Sequence, residues 1–140
     1  MKTYQSFATA LTTLLASDRA VRIIVEGYMP LSIERIGLDA EGRRQIAMAH
    51  TGEQNGDLMR DPELVFVLHE AEGFVAAEPI SFRNDYVGVM QDVYRYDVHG
   101  RRTHVVPTLK RELKSFARLW LRNLRDQGFF GPAAKRERLT

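Results

Sequence analysis

Apolar residues along this chain recur with two different periods. From Tyr4 to Leu15, Tyr4, Phe7, Ala8, Leu11, Leu14 and Leu15 recur at helical spacing, while threonines and Gln5 fill the other face, which predicts an amphipathic helix ending near Ser17 and Asp18. The same period returns from Thr108 to Asp126. At about 100° per residue, Leu109, Leu113, Phe116, Trp120 and Leu124 form one stripe, and Lys110, Arg111, Lys114, Arg118, Arg122 and Arg125 fall on the opposite side. Thr108 is placed as the N-cap and Gly128 as the stop. Such a helix has one face to bury and one to keep in water.

Between the helices the period shortens to that of strands. Leu31 to Asp39 and Arg44 to His50 flank a turn at Gly42, which predicts a β-hairpin. The run Glu63 to Glu70 is apolar on both faces as far as Leu68, so its strand belongs in the middle of a sheet, beneath a helix. Phe74 to Phe82 is broken by Pro79, which lacks an N–H and suits an edge or a bulge. Tyr86 to Val98 alternates again and ends in a turn at His99–Arg102. Residues 19–25 read equally well as a helix extension or a strand, because a short apolar run has no decisive period. The expected fold class is α+β: an antiparallel β-meander of about four or five strands, with an N-terminal helix and a C-terminal amphipathic helix packed on it.

At 140 residues and 44% hydrophobic composition, the chain suits one domain over residues 1–130, followed by a flexible basic tail over residues 131–140. Its N-terminus is too polar for a signal peptide and no segment has the length of an apolar span, so a cytoplasmic protein without membrane contact is expected. The absence of cysteine excludes disulfides, thiolate metal sites and a cysteine nucleophile. The net charge of +2 hides a division: residues 1–100 hold nine Lys/Arg against fifteen Asp/Glu, and residues 101–140 hold eleven against three. The chain is acidic first and basic last. That pattern suits either a solvated surface or a contact with nucleic acid or an acidic protein.

Two stretches carry candidate function. The loop from His50 to Glu63 gathers His50, Glu53, Asn55, Asp57, Asp61 and Glu63. Its acidic spacing fits no EF-hand, and the structural account is that Asn55-Gly56 makes a tight turn, Asp57 caps its neighbours and Asp61-Pro62 opens the next strand. His50, His69, His99 and His104 would need a carboxylate or nucleophile beside them in a pocket, and no Gly-x-Ser-x-Gly motif or Gly-rich phosphate loop is present. No catalytic residue, metal or cofactor is assigned. The second stretch is the cationic side of the closing helix, Lys110, Arg111, Lys114, Arg118, Arg122 and Arg125, which could track DNA or RNA phosphates but lies in no helix-turn-helix pattern.

The segments GYMPLSIERIG, IAMAHTGEQNGDLMRDPELVF, SFRNDYVGVMQDVY and FARLWLRNLRDQGF together resemble a family of small uncharacterised domains found on plasmids, phages and integrative elements. The resemblance covers about residues 27–130. It implies no catalytic residues. It does imply a context: an accessory protein of a mobile element, in a bacterial cytoplasm, that inhibits a host defence such as CRISPR or restriction by binding a host protein or nucleoprotein complex. Thr51-Gly52 departs from the family, which often carries aromatic residues after the histidine. Direct nucleic-acid binding in element maintenance is the alternative expectation, and a hydrolase using His50 with Glu53 or Asp57 the remotest.

Overall fold

A computed structural model describes residues 2–139. Helix α1 (Lys2–Leu15) is followed by β1 (Ala20–Ile24), β2 (Leu31–Ile36), β3 (Gln45–Gln54), β4 (Asp57–Ala71), β5 (Phe74–Asn84), β6 (Val89–Asp92), β7 (Tyr94–Tyr96) and β8 (Arg102–Val105). Helix α2 (Pro107–Asp126) and β9 (Lys135–Arg138) follow. The architecture is α+β, with seven strands in one antiparallel sheet ordered β6-β5-β4-β3-β2-β1-β9 and a separate β7-β8 ribbon. Six of the seven are a meander in chain order, as sequential pairing favours.

Two differences from expectation enlarge the sheet, and a third takes one strand out of it. Residues 19–25 resolve as β1, in which Val21 and Ile23 are buried and Arg22 between them is not. The segment expected as a tail carries β9, which pairs antiparallel to β1 from Val21↔Arg138 to Ile24↔Lys135; Thr140 lies outside the described residues. A run such as KRER suits a solvated tail and an edge strand alike, since charged side chains on an edge discourage further pairing. Arg136 secures it by donating from Nη1 to the Leu14 carbonyl at 2.5 Å, and Arg138 by donating from Nε to Asp18 Oδ1 at 3.0 Å. The strand expected from Tyr86 to Val98 is two strands that part at Val93. The backbone of this fully buried residue donates to the Ile80 carbonyl and accepts from Val106, each at 2.8 Å.

Both helices lie on one face of the sheet. Across it runs a buried row set by register, Val21 opposite Ile33, Ile33 opposite Met48 and Met48 opposite Leu64. From above, α1 contributes Phe7, Leu11 and Leu14, and α2 contributes Leu109, Leu113, Trp120 and Leu124. The Phe7 and Phe66 rings meet edge to face at 6.2 Å, and Phe82 and Phe116 at 5.6 Å. Pro79 sits at a bulge: Phe66 faces Pro79 and Val65 faces Ser81, leaving Ile80 as the extra residue.

The first turn of α2 is arranged differently from the expected Thr108 cap. Pro107 is the first helical residue and Val106, extended, is the N-cap without a side-chain bond. Proline presets the helical φ, and its missing N–H costs nothing where no partner exists. At the other end Gly128, at φ +94°, donates to the Arg125 carbonyl and Phe129 donates to that of Leu124, a Schellman closure that turns Phe129 into the core.

Candidate functional site

The α2 surface follows from the helix being wider in its contact than the sequence stripe implied. Ala117 and Leu121 are buried beside Leu113, Trp120 and Leu124, while Phe116 is only half-buried. The contact stripe therefore borders the cationic row directly. Its lysines, Lys110 and Lys114, lie along the flank of that stripe and are drawn into the protein, while Arg111 and Arg122 stay on the far side. Lys110 Nζ stands 3.6 Å from Glu78 Oε2, and Lys114 Nζ lies 5.4 Å from the centre of the Tyr4 ring. Arg118 donates to Thr3 Oγ1 at 3.1 Å, and the Arg125 guanidinium stacks 4.9 Å from the Phe130 ring centre. Arg111, Arg118, Arg122 and Arg125 are all exposed, and none forms an ion pair among the described residues. Leu119, 49% exposed, lies beside them.

The stretch from His50 to Glu63 is not a loop. β3 runs on to Gln54 and β4 begins at Asp57, so the segment is a two-stranded arm closed by Asn55 (φ 52°) and Gly56 (φ 86°). Two positive φ values in a two-residue connection match the right-handed twist of the strands it joins. The arm spreads its polar groups along its length. Glu53 and Asp57 are exposed near the tip, whereas Asp61 lies within β4, accepts from Asn84 Nδ2 at 2.6 Å and precedes a cis peptide bond to Pro62. Glu63 lies 3.7 Å from Arg60. The expected Asp57 cap is not formed, and Asp61-Pro62 lies inside β4 instead of opening it, because ladder pairing begins at Asp57. Among the described residues no three His, Asp or Glu side chains are placed to hold a metal ion.

His50, half-buried at the inner end of the arm, packs against the core. Its Nδ1 donates to the Met29 carbonyl at 3.0 Å, and its ring packs 5.6 Å from Trp120 and 5.5 Å from Phe129. Burial holds its pKa below the ordinary value near 6.5. Gly52 sits beneath Tyr86: a Cβ there would come within 2.5 Å of the Tyr86 hydroxyl and 3.5 Å of Met29 Cε. A side chain at this position requires the Tyr86 hydroxyl to move aside.

A different polar site forms where β4, β5, β7 and α2 meet. Glu78, 4% exposed, is the one charged residue among the described residues that is buried as a whole, and groups from three elements face its carboxylate. The Tyr94 hydroxyl donates to Oε2, His69 Nε2 donates to Oε1 at 2.8 Å, and Lys110 approaches Oε2. Because a guanidinium can only donate, Arg43 Nη1, 3.3 Å from His69 Nδ1, makes that nitrogen the acceptor and leaves Nε2 to carry the proton toward Glu78. Burial, then the hydrogen bond to Glu78 and its charge, push the Tyr94 hydroxyl well above its ordinary pKa. Arg43 is held by Asp39 and Glu41, Arg102 by Glu41, and the Arg102 guanidinium lies 4.0 Å from the Tyr94 ring centre.

Two hairpin turns of one design frame this site. Asp39 and Asp97 each accept, through Oδ1, from the backbone N–H two and four residues on, and each turn carries a glycine three residues after the aspartate, followed by arginine. The carbonyl of Ala40 in the first turn lies 3.6 Å from where a Gly100 Cβ would stand in the second. Sequence reasoning named His69 only as one histidine among four and passed over Glu78 and Tyr94. The available signal was a single carboxylate in the apolar run FVAAEPISF, but its partners lie on other elements, which only folding brings together.

No helix among the described residues is long and apolar enough to cross a membrane. No curated protein and no solved structure matches the chain. One family profile does, described as a domain of unknown function (DUF6908), and it spans residues 2–130. Since that match takes in both helices and the whole β1 to β8 stretch, the chain belongs to the DUF6908 family.

Proposed function

We propose that this protein acts by binding, presenting the outer side of α2 to an anionic surface of a host protein or nucleoprotein complex. The observation that carries the reading is that Arg111, Arg118, Arg122 and Arg125 are exposed and unpaired with any carboxylate among the described residues, although the rest of the chain is acidic. The protein's own acids leave this charge unneutralised. Leu119 adds an exposed apolar side chain beside the guanidinium groups, a mixture that favours a protein surface over bare phosphate. In the setting of a mobile element, the partner is a component of a host defence system such as CRISPR or restriction, and occupancy of its surface inhibits it. The test is expression of the wild type and of a variant with all four arginines replaced by glutamine during a CRISPR or restriction challenge. Protection that disappears in the variant is expected; no protection by the wild type, with no nucleoprotein recovered on it from host lysate, refutes the proposal.

Direct nucleic-acid binding is the second reading. It is favoured by the length of the row: Arg111 to Arg125 extends about 21 Å along the helix, enough to meet several backbone phosphates. Binding of DNA or RNA whose salt slope falls by about one for each arginine removed supports it, and affinity unchanged in the four-arginine variant excludes it.

A further inference from the structure

Both helices pack on one face of the sheet, and the other face carries a trough of about 520 Å³ that crosses β9, β1, β2, β3 and β4. On a solvated face of an antiparallel sheet the alternate positions are polar. Here Ile36, Ala47, Ala49 and Val65 occupy several of them, and Leu58 and Leu139, 62% and 40% exposed, add apolar surface at the trough's wall. Strand pairing lines up one row of side chains straight across this face: Glu137 on β9, Arg22 on β1, Ser32 on β2, Ala49 on β3, Glu63 on β4 and Arg83 on β5. Read inward from β9 the row runs acid, base, small residue; read inward from β5 it runs base, acid, small residue. Its charges cancel, and its two halves are opposite in sign at every charged position.

We infer that this face binds a second copy of the chain, related to the first by a two-fold axis that runs along the strands and passes between β2 and β3. Such an axis lays the two sheets face to face in the aligned manner and reverses the row of one copy over that of the other. Arg22 then meets the partner's Glu63, Glu137 meets the partner's Arg83, and Ser32 lies over the partner's Ala49. An axis running along the row itself would set each charge on its own kind. A face without surplus charge gives a nucleic acid or a partner of one sign nothing to recognise, whereas the order of its signs matches its own reverse. The contact uses the face of the sheet instead of the β9 edge, and it closes at two copies.

Glu34 is the one group that this symmetry works against. It stands in the next row, opposite Ala47, forms no ion pair among the described residues, and is brought beside its own copy by the axis. The like charges weaken the dimer and keep it reversible.

The experiment is analytical ultracentrifugation of the full chain from about 1 to 200 μM, where a species of twice the 16.0 kDa chain mass is expected, with Kd of about 1–100 μM. Arg22→Glu and Glu63→Arg each weaken it about tenfold or more, with circular dichroism confirming that both variants are folded. Both exchanges in one chain restore the dimer, because each faces the other across the axis, and Glu34→Gln tightens it. A chain that stays monomeric at about 200 μM overturns the inference. So does a dimer indifferent to both single exchanges, one that the double exchange fails to restore, or one that Glu34→Gln loosens.

Discussion

The imidazole of His50 lies 5.6 Å from the ring of Trp120, ring centre to ring centre, and 5.5 Å from Phe129 on the far side of the Schellman turn. One histidine at the inner end of the arm thus joins the sheet, α2 and the chain reversal after it. Burial lowers its pKa, so the unfolded chain takes up a proton more readily than the folded one. Its contribution to stability is complete above the ordinary value and declines as pH falls below it. Thermal melts should therefore show a loss of stability between about pH 7 and pH 5, and His50→Phe should reduce that loss. An unchanged pH profile in His50→Phe would assign the acid sensitivity elsewhere.

Loss of β9 should matter more than loss of a tail. A chain ending at Ala134 bares the outer edge of β1 and removes the contacts of Arg136 with Leu14 and of Arg138 with Asp18. Its melting temperature should drop, and size-exclusion chromatography should reveal concentration-dependent association. A monomer as stable as the full chain would contradict the edge-capping role.

Gly128 occupies φ +94°, where an added Cβ meets no neighbour but the backbone itself is unfavourable for any other residue. Gly128→Ala should cost about 1 kcal/mol, read from denaturant melts, through backbone strain alone. A neutral result would mean that the turn relaxes and that Phe129 does not depend on it.

The exposed arginines of α2 and the buried carboxylate of β5 should respond differently to mutation. Arg111→Gln and Arg122→Gln remove exposed charges without an ion-pair partner, and should change stability by less than about 0.5 kcal/mol. Glu78→Ala deprives the buried Tyr94 hydroxyl and His69 of their shared acceptor, and should cost about 2–4 kcal/mol. Equal effects at the two sites in urea melts would count against the Glu78 cluster as a built feature.

Periodicity alone determined the two helices and the central place of β4, because each depends on which residues of one segment share a face; at Pro79 the missing N–H left an edge and a bulge both open, and the pairing of β5 with β6 decided for the bulge. Tertiary structure decided what depends on distant partners. Lys110 and Arg122 are alike in sequence, yet one is drawn to a buried carboxylate and the other left in solvent, because only Lys110 comes within reach of Glu78 on β5. β9 became a strand because β1 had an edge to cover, and the His50–Glu63 segment became an arm because β3 and β4 kept pairing beyond the end of β2. The site at Glu78 draws its groups from four separate elements, and no local pattern encodes a contact between side chains so far apart along the chain.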